Sequence, residues 1–183
     1  MAFLEVLTRT FGKRPRALML NRNSLNTQTD PDLQHTVIVD DVGRGVAWAN
    51  GNLRNIIVTG EYVWVLDDDD RCIRDTLVAE IKEIAARENP DVIVVRAHHA
   101  VFGRLPHREN WGKAPVCGDI GWSCVIVRGE TWNAHRQAHD ESYTGDYVFI
   151  RHLWDAPGLT WYWHDYTAAF YPVQSKGAAE HAP

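Results

Sequence analysis

The sequence predicts an α/β domain with a mostly parallel central sheet flanked by helices. Short apolar runs alternate with helix-spaced apolar positions along most of the chain. Its 183 residues, 45% hydrophobic and 23% charged, suit one domain with its own core. Two of the apolar runs end in carboxylates, at Asp40-Asp41 and at Asp67-Asp68-Asp69-Asp70. In open α/β sheets ligands sit outside the carboxyl ends of the strands, so that placement is the first functional signal.

Taken in order, Phe3 to Leu7 reads as a strand and Arg14 to Gln28 as a helix opened near Pro15. Thr36 to Val39 is a second strand, ending at Asp40-Asp41. Val46, Ala49, Leu53, Ile56 and Ile57 recur at helical spacing, and Gly60 closes that helix. Tyr62 to Leu66 is a third strand, running straight into the four acidic residues. Leu77, Val78, Ile81, Ile84 and Ala85 mark an amphipathic helix stopped by Asn89-Pro90. Asp91 to Val95 starts a fourth strand, residues 98–118 read as a loop, and Trp122 to Val127 is a fifth strand. Glu130 to Ala138 and Asp146 to Trp154 are expected helices, Thr160 to Tyr171 a last strand, and 177–183 a loose tail. No internal repeat or linker interrupts the pattern.

Composition excludes some classes. A net charge of -5 gives no basic footprint for tracking nucleic-acid phosphates. The three cysteines, Cys72, Cys117 and Cys124, lack metal spacing and read as small buried or half-buried thiols of a reducing compartment. No apolar run is long enough to span a bilayer, and the opening residues are too short and polar for a secretory signal. A soluble cytoplasmic protein is expected. Tryptophan is abundant at eight residues, and flat indole faces suit core packing, sugar rings or bases. Trp111, Trp122 and Trp163 are kept as candidates for the latter.

The acidic cluster carries the chemistry. Adjacent like charges repel, so folding gains nothing from placing four carboxylates in a row. Clustered carboxylate oxygens are hard ligands suited to Mg²⁺ or Mn²⁺, and an Asp-x-Asp at a strand end suits a metal-bound diphosphate. A solvated acidic turn capping the helix that begins near Asp75 is the competing explanation.

Asn50-Gly51-Asn52-Leu53-Arg54, followed by Gly60-Glu61-Tyr62 and Leu66-Asp67-Asp68-Asp69-Asp70, resembles the nucleotide-sugar half of GT-A fold glycosyltransferases, particularly the family 2 group. The resemblance covers about residues 3–175 and is strongest over 36–70. It implies a single GT-A (Rossmann-like) domain, with 1–97 as the nucleotide-sugar half and 98–176 as the acceptor half. It implies transfer of a sugar from a nucleoside-diphosphate donor, a UDP-sugar, to a hydroxyl, with inversion and with Mn²⁺ or Mg²⁺. The acceptor is expected to be soluble, for example a saccharide or a modified nucleobase, with no membrane partner.

Residue by residue, Thr8-Arg9-Thr10 resembles the first nucleotide contact, with Thr8 and Arg9 the candidates. Asp40 and Asp41 are placed to meet base or ribose, and Asn52 matches the family's Asn. Asp67 and Asp69 form the Asp-x-Asp, Asp69 as metal ligand and Asp67 on ribose or metal, with Asp68 beside them. Gly118 to Trp122 resembles the glycine-bearing acceptor loop. Gly145-Asp146 stands where the family has Glu-Asp, making Asp146 the catalytic base and leaving Asp140 and Glu141 as rivals; an N-capping Asp146 is the structural alternative. His164 is either a third metal ligand or a packed histidine, and Gln174 stands where a late His is usual. Lys176 is a phosphate candidate or a surface lysine. His98 and His99 point opposite ways on a strand, one expected buried and one lining the acceptor side. Arg96, Arg104 and Arg108 are candidates for that same side, while Arg9, Arg14 and Arg44 have the better claim on phosphates. The rival functions are a sugar-phosphate nucleotidyltransferase, weakly echoed by Phe11-Gly12-Lys13-Arg14, and a non-catalytic nucleotide- or sugar-binding module. A carboxylate phosphoesterase ranks behind both.

Overall fold

A computed structural model describes residues 2–172. The expectations for Gln174, Lys176 and the tail lie outside the described residues. β1 (Leu4–Phe11), α1 (Pro15–Leu25) and β2 (Leu33–Asp40) form the first unit, followed by α2 (Val46–Asn52) with a 3₁₀ turn Leu53–Asn55. β3 (Tyr62–Val65), β4 (Arg71–Cys72), α3 (Leu77–Glu88), β5 (Val92–His99) and β6 (Gly103–Leu105) come next. A 3₁₀ turn Trp122–Cys124, β7 (Val125–Arg128), α4 (Gly129–His135), α5 (Gly145–Asp155) and β8 (Trp161–Tyr171) complete the order. Pro15 opens α1 because a missing N–H costs nothing in a helix's first turn. Asn89 closes α3 in the left-handed region at φ 49°, where asparagine is tolerated.

The described strands form one sheet in the order β2-β1-β3-β7-β5-β8-β4, with β6 pairing on β5. The expected mostly parallel sheet is corrected to a mixed one. β2, β1 and β3 are parallel, as are β5 and β8, but β7 lies between β3 and β5 antiparallel to both. The reason is connection type. Helices link the early strands and return the chain to start each strand in the same sense. After β5 the chain instead turns back through the β5–β6 hairpin and the 106–121 segment, so β7 enters reversed. The expected loop over 98–118 therefore contains a strand and a 3₁₀ turn at Arg108–Asn110.

The core is built from β3, β5 and β7 side chains, Trp64 among them, packed against Trp132 of α4 and Phe149 of α5, all fully buried. Burial of such rings contributes about 2–3 kcal/mol each relative to exposure. Cys72 and Cys124 are buried thiols as expected, while Cys117 is exposed. No helix among the described residues is long and apolar enough to cross a membrane.

β1 is longer than its apolar run. Its register with β3 ends at Leu7↔Val65, whereas its register with β2 continues to Phe11↔Asp40. The overhang leaves Leu7 and Arg9 carbonyls to accept from Leu66 N–H at 3.0 Å and Asp68 N–H at 3.2 Å. The acidic turn is thus laid along the end of β1.

Candidate functional site

The acidic turn is held from below and neutralised from the side. Asn21, fully buried on α1, donates to the carbonyls of Asp67 at 2.9 Å and Asp70 at 3.2 Å. Thr8 donates to Asn21 Oδ1 at 3.2 Å and meets His35 Nε2 at 2.8 Å. Thr8 therefore lies under the turn as support. Thr10, two residues on and on the same face, donates to Asp68 Oδ2 at 2.6 Å.

Two arginines supply the positive charge. Arg9, only 9% exposed, donates Nε to Asp67 Oδ1 at 2.7 Å and Nη2 to Asp67 Oδ2 at 2.6 Å, and also bonds Asn50 Oδ1. Arg14 reaches Asp68 Oδ1 at 2.9 Å and Asp69 Oδ2 at 2.7 Å. Burial pushes the Asp68 carboxyl up to about 6, against the Thr10 hydrogen bond and the Arg14 charge, which favour ionisation. Asp70 is 3% exposed and pushed well above the usual carboxylate range by burial and by Asp67 and Asp69. It accepts from Ser123 Oγ at 2.6 Å, so it braces the 3₁₀ turn rather than facing a ligand.

That brace brings in the second half of the chain. Trp122 Nε1 donates to Asn50 Oδ1 at 3.1 Å, and Asn50 Nδ2 donates to the Ser142 carbonyl at 2.9 Å, just before α5. Asp146 is the second residue of α5, with Thr144 at the cap position, so Asp146 is not the cap itself. Its Oδ1 accepts from Tyr147 N–H at 2.7 Å. Its Oδ2 lies 3.0 Å from where a Cβ on Gly121 would stand, so a glycine there lets the loop close on the carboxylate. Burial raises its pKa; Tyr147 N–H and Arg9 pull it back, and Asp67 pushes it further up. The rivals Asp140 and Glu141 are exposed. Gly145 has a steric reason: a Cβ there would stand 2.5 Å from the Asp140 carbonyl and 2.7 Å from Asn50 Cβ, so the glutamate usual in the resembling family has no room.

The remaining expected residues are placed differently. Asp40 is buried and accepts from Gly43 N–H and Gly45 N–H, each at 3.0 Å, and from Arg44 Nε at 3.2 Å. Those glycines have φ of 78° and 87°, a turn only glycine makes cheaply. Asp40 thus shapes the loop after β2, and the Asp41 side chain, 77% exposed, is the one open to solvent. Arg44 lies over the Trp48 ring at 3.5 Å. Asn52 pairs with Asn55 at 3.2 Å; Asn50, two residues earlier, is the asparagine at the centre.

His164 stands apart. It contacts Glu80 Oε2 at 3.3 Å and stacks on Tyr166, on the sheet face covered by α3. β4, which follows the acidic turn, pairs with Phe170, six residues further along β8. At 3.3 Å per residue His164 is ~20 Å from that end of the strand. Neither His98 nor His99 is buried: His98 is exposed beside Phe170, and His99 Nδ1 accepts from Val101 and Phe102 N–H, closing the hairpin. Among the described residues no group of three or more His, Cys, Asp or Glu is arranged to hold a metal.

Sequence reasoning missed Asn50, Thr10, Ser123 and the bracing role of Asp70. Asn50 was legible only as one of two asparagines flanking Gly51. The others depend on contacts across more than 50 residues of chain.

No family model and no curated protein matches the sequence. Solved structures do match in fold. The Staphylococcus aureus TarS 1-349 structure in complex with UDP-GlcNAc has a TM-score of 0.66 at 14% identity, covering 100% of this chain and 62% of that one. The mannosyltransferase PcManGT from Pyrobaculum calidifontis, in complex with GDP-Man and Mn²⁺, has a TM-score of 0.62 at 12% identity over 96% of this chain and 58% of that one. The glycosyltransferase GlyE of Streptococcus pneumoniae TIGR4 has a TM-score of 0.56 at 12% identity over 90% and 45%. The chain spans about three fifths of the first of these structures. At such identities the likeness is one of fold, and the fold is that of GT-A-type glycosyltransferases.

Proposed function

We propose that this GT-A-type domain is a metal-dependent, inverting glycosyltransferase that moves a sugar from a nucleoside diphosphate to a hydroxyl acceptor. One juxtaposition carries the reading: Asp146, near the start of α5, closes on Gly121 and shares the field of Arg9 with Asp67 of the acidic turn. An acidic turn able to organise a diphosphate and a partly buried carboxylate able to take a proton thus meet at one sheet edge. The TarS structures hold UDP-GlcNAc and UDP, and PcManGT holds GDP-Man, which supports a sugar-nucleotide donor; we infer a UDP-sugar.

The donor set fits a hard divalent ion. Asp67 and Asp69 are carboxylates on one turn whose side chains are 34% and 18% exposed, and they would hold Mn²⁺ or Mg²⁺. Such an ion, when bound, neutralises charge on the diphosphate leaving group. Arg9 and Arg14 flank the same place and offer guanidinium donors to phosphate oxygens. Asp146 accepts the acceptor hydroxyl's proton. As the new oxygen–carbon bond forms at the anomeric carbon, the bond to the diphosphate breaks and its electron pair leaves with the phosphate. A raised pKa makes Asp146 a better base than an ordinary carboxylate.

The test is a thermal-shift panel of nucleoside diphosphates with and without Mn²⁺, followed by transfer assays on Asp146→Asn. One nucleotide class should stabilise the protein, more so with metal. The variant should keep that shift and lose about 10²–10⁴-fold in kcat. The acid limb of the wild-type rate profile should lie above the usual carboxylate range, with activity falling as pH drops through it. If no nucleoside diphosphate stabilises the protein, the proposal falls.

A further inference from the structure

Away from the acidic turn, a cavity of about 680 Å³ opens between the β5–β6 hairpin, the 107–111 segment and β8. We propose that it is an anion subsite for the acceptor, taking a carboxylate or phosphate group carried on a sugar. The word acceptor rests on the transfer reading above; the anion binding stands on the cavity alone.

The lining is cationic in a chain whose net charge is -5. Arg96, Arg104 and Arg108 face it, with His107 beside them, against Asp165 and Glu109. Arg96 is only 4% exposed, with its guanidinium over the Trp111 ring at 3.8 Å. It donates to Asp165 Oδ1 at 2.8 Å and to the Pro106 carbonyl. Arg104 uses the same Asp165 oxygen, at 2.7 Å. One carboxylate oxygen thus serves two guanidinium groups, each with five N–H donors in a fork that matches an oxyanion. Arg108 makes no ion pair among the described residues. His107 is held above its usual pKa by its hydrogen bond to Asp119. A buried guanidinium with half a partner is costly, and a second anion offsets that cost.

The placement suits an acceptor. Trp111, whose ring carries the Arg96 guanidinium, meets Trp163 edge-on at 5.0 Å, so an aromatic wall adjoins the cationic fork. Trp163 meets Trp154 at 6.3 Å. Trp154 lies eight residues along α5 from Asp146, ~12 Å at helical rise. The 106–121 segment ties the two places together: Asp119 accepts from His107 N–H and Asn110 Nδ2, each at 2.9 Å, and Gly121 meets Asp146. On this proposal the acceptor is longer than one sugar, with its hydroxyl at Asp146 and its charge in the arginine cavity beyond the Trp154–Trp163–Trp111 row. Arg9 and Arg14 pair with the acidic turn and do not line this cavity.

The experiment titrates glucose 6-phosphate, glucuronate and glucose by calorimetry into the wild type and an Arg104→Gln/Arg108→Gln variant, with UDP and Mn²⁺ present so that the acidic turn is occupied. Both substitutions are at exposed positions, and a melting curve checks the fold. At least one charged sugar should bind tighter than glucose, and the variant should lose roughly tenfold or more of that affinity, as expected for charged hydrogen bonds. Binding of the phosphate alone or the carboxylate alone identifies the anion. No preference for charged sugars, or a preference that survives in the variant, overturns the proposal. Arginine-dependent binding in a protein that UDP fails to stabilise would keep the anion site and remove the transfer reading.

Discussion

Arg9 grips Asp67 with two parallel hydrogen bonds, Nε to Oδ1 at 2.7 Å and Nη2 to Oδ2 at 2.6 Å. The pair joins the end of β1 to the acidic turn, and the Arg9–Asn50 bond carries the link on to the loop before α5. Burial opposes the Arg9 charge, while Asp67, Asp146 and Asp70 all favour it. Arg9→Gln should therefore leave carboxylates uncompensated and cost about 3–5 kcal/mol in urea unfolding. Arg9→Lys should recover only part of this, because an ammonium cannot reproduce the fork. A loss below ~1 kcal/mol would mean that solvent already screens the pair.

Asp68 should make stability fall as pH rises. Its folded pKa is lifted from 3.8 to about 6, chiefly by burial. Below 3.8 the group is protonated whether folded or unfolded. Between 3.8 and about 6 the native state keeps a proton that the unfolded chain has released, so stability declines with pH across that window. Relative to wild type, Asp68→Asn should gain up to about 3 kcal/mol between pH 4 and pH 7. Parallel pH–stability curves for the two proteins would show that Asp68 is better paired than its burial implies.

Much of this arrangement was legible in the sequence because local rules wrote it there. Pro15, Asn89-Pro90 and the period of Leu77, Val78, Ile81, Ile84 and Ala85 fixed α1 and α3 to within a few residues. The apolar Tyr62–Leu66 run placed the acidic turn at a strand end. The direction of β7 was not legible, since nothing local distinguishes a strand entered by a hairpin return from one entered by a helix. The polar end of β1 was cut short because Thr8, Arg9 and Thr10 break the apolar run, although backbone pairing with β2 carries the strand to Phe11. Choosing Asn50 over Asn52 needed the contact with Arg9, 41 residues away. His164 looked plausible because aromatic neighbours say nothing about which end of a strand a side chain occupies.

Gly145 and Gly51 both lie near Asn50 and should respond differently to alanine. At Gly145 the new Cβ meets the Asp140 carbonyl at 2.5 Å and Asn50 Cβ at 2.7 Å, neither of which can swing away. Gly145→Ala should cost about 1–3 kcal/mol and displace Asp146, lowering kcat as well. At Gly51 the new Cβ overlaps Glu141 Cγ and meets Glu141 Cβ at 3.1 Å; the exposed side chain can turn its Cγ away, and the Cβ contact needs only a small shift of the loop. Better helix propensity then offsets the crowding, so Gly51→Ala should change stability by less than ~1 kcal/mol. Chemical denaturation and steady-state kinetics on the two variants check the contrast, and equal losses would mean that the 140–145 loop is free to shift.

Arg14 should compete with a divalent ion. Its two guanidinium nitrogens lie 2.9 Å from Asp68 Oδ1 and 2.7 Å from Asp69 Oδ2, and its side chain is 30% exposed. A cation held by Asp69 must displace or crowd that guanidinium, because both want the same oxygens. Once displaced, Arg14 stands beside the bound diphosphate, where its charge opposes the phosphate's. Removing it should thus have opposite effects on the two ligands. Arg14→Gln should bind Mn²⁺ alone roughly tenfold tighter, the scale of one charged hydrogen bond, as read by titration of the free-ion paramagnetic resonance signal. The same variant should bind UDP more weakly when Mn²⁺ is saturating. If Mn²⁺ affinity falls in the variant, Arg14 orders the carboxylates for the ion instead of competing with it, and the exchange is wrong.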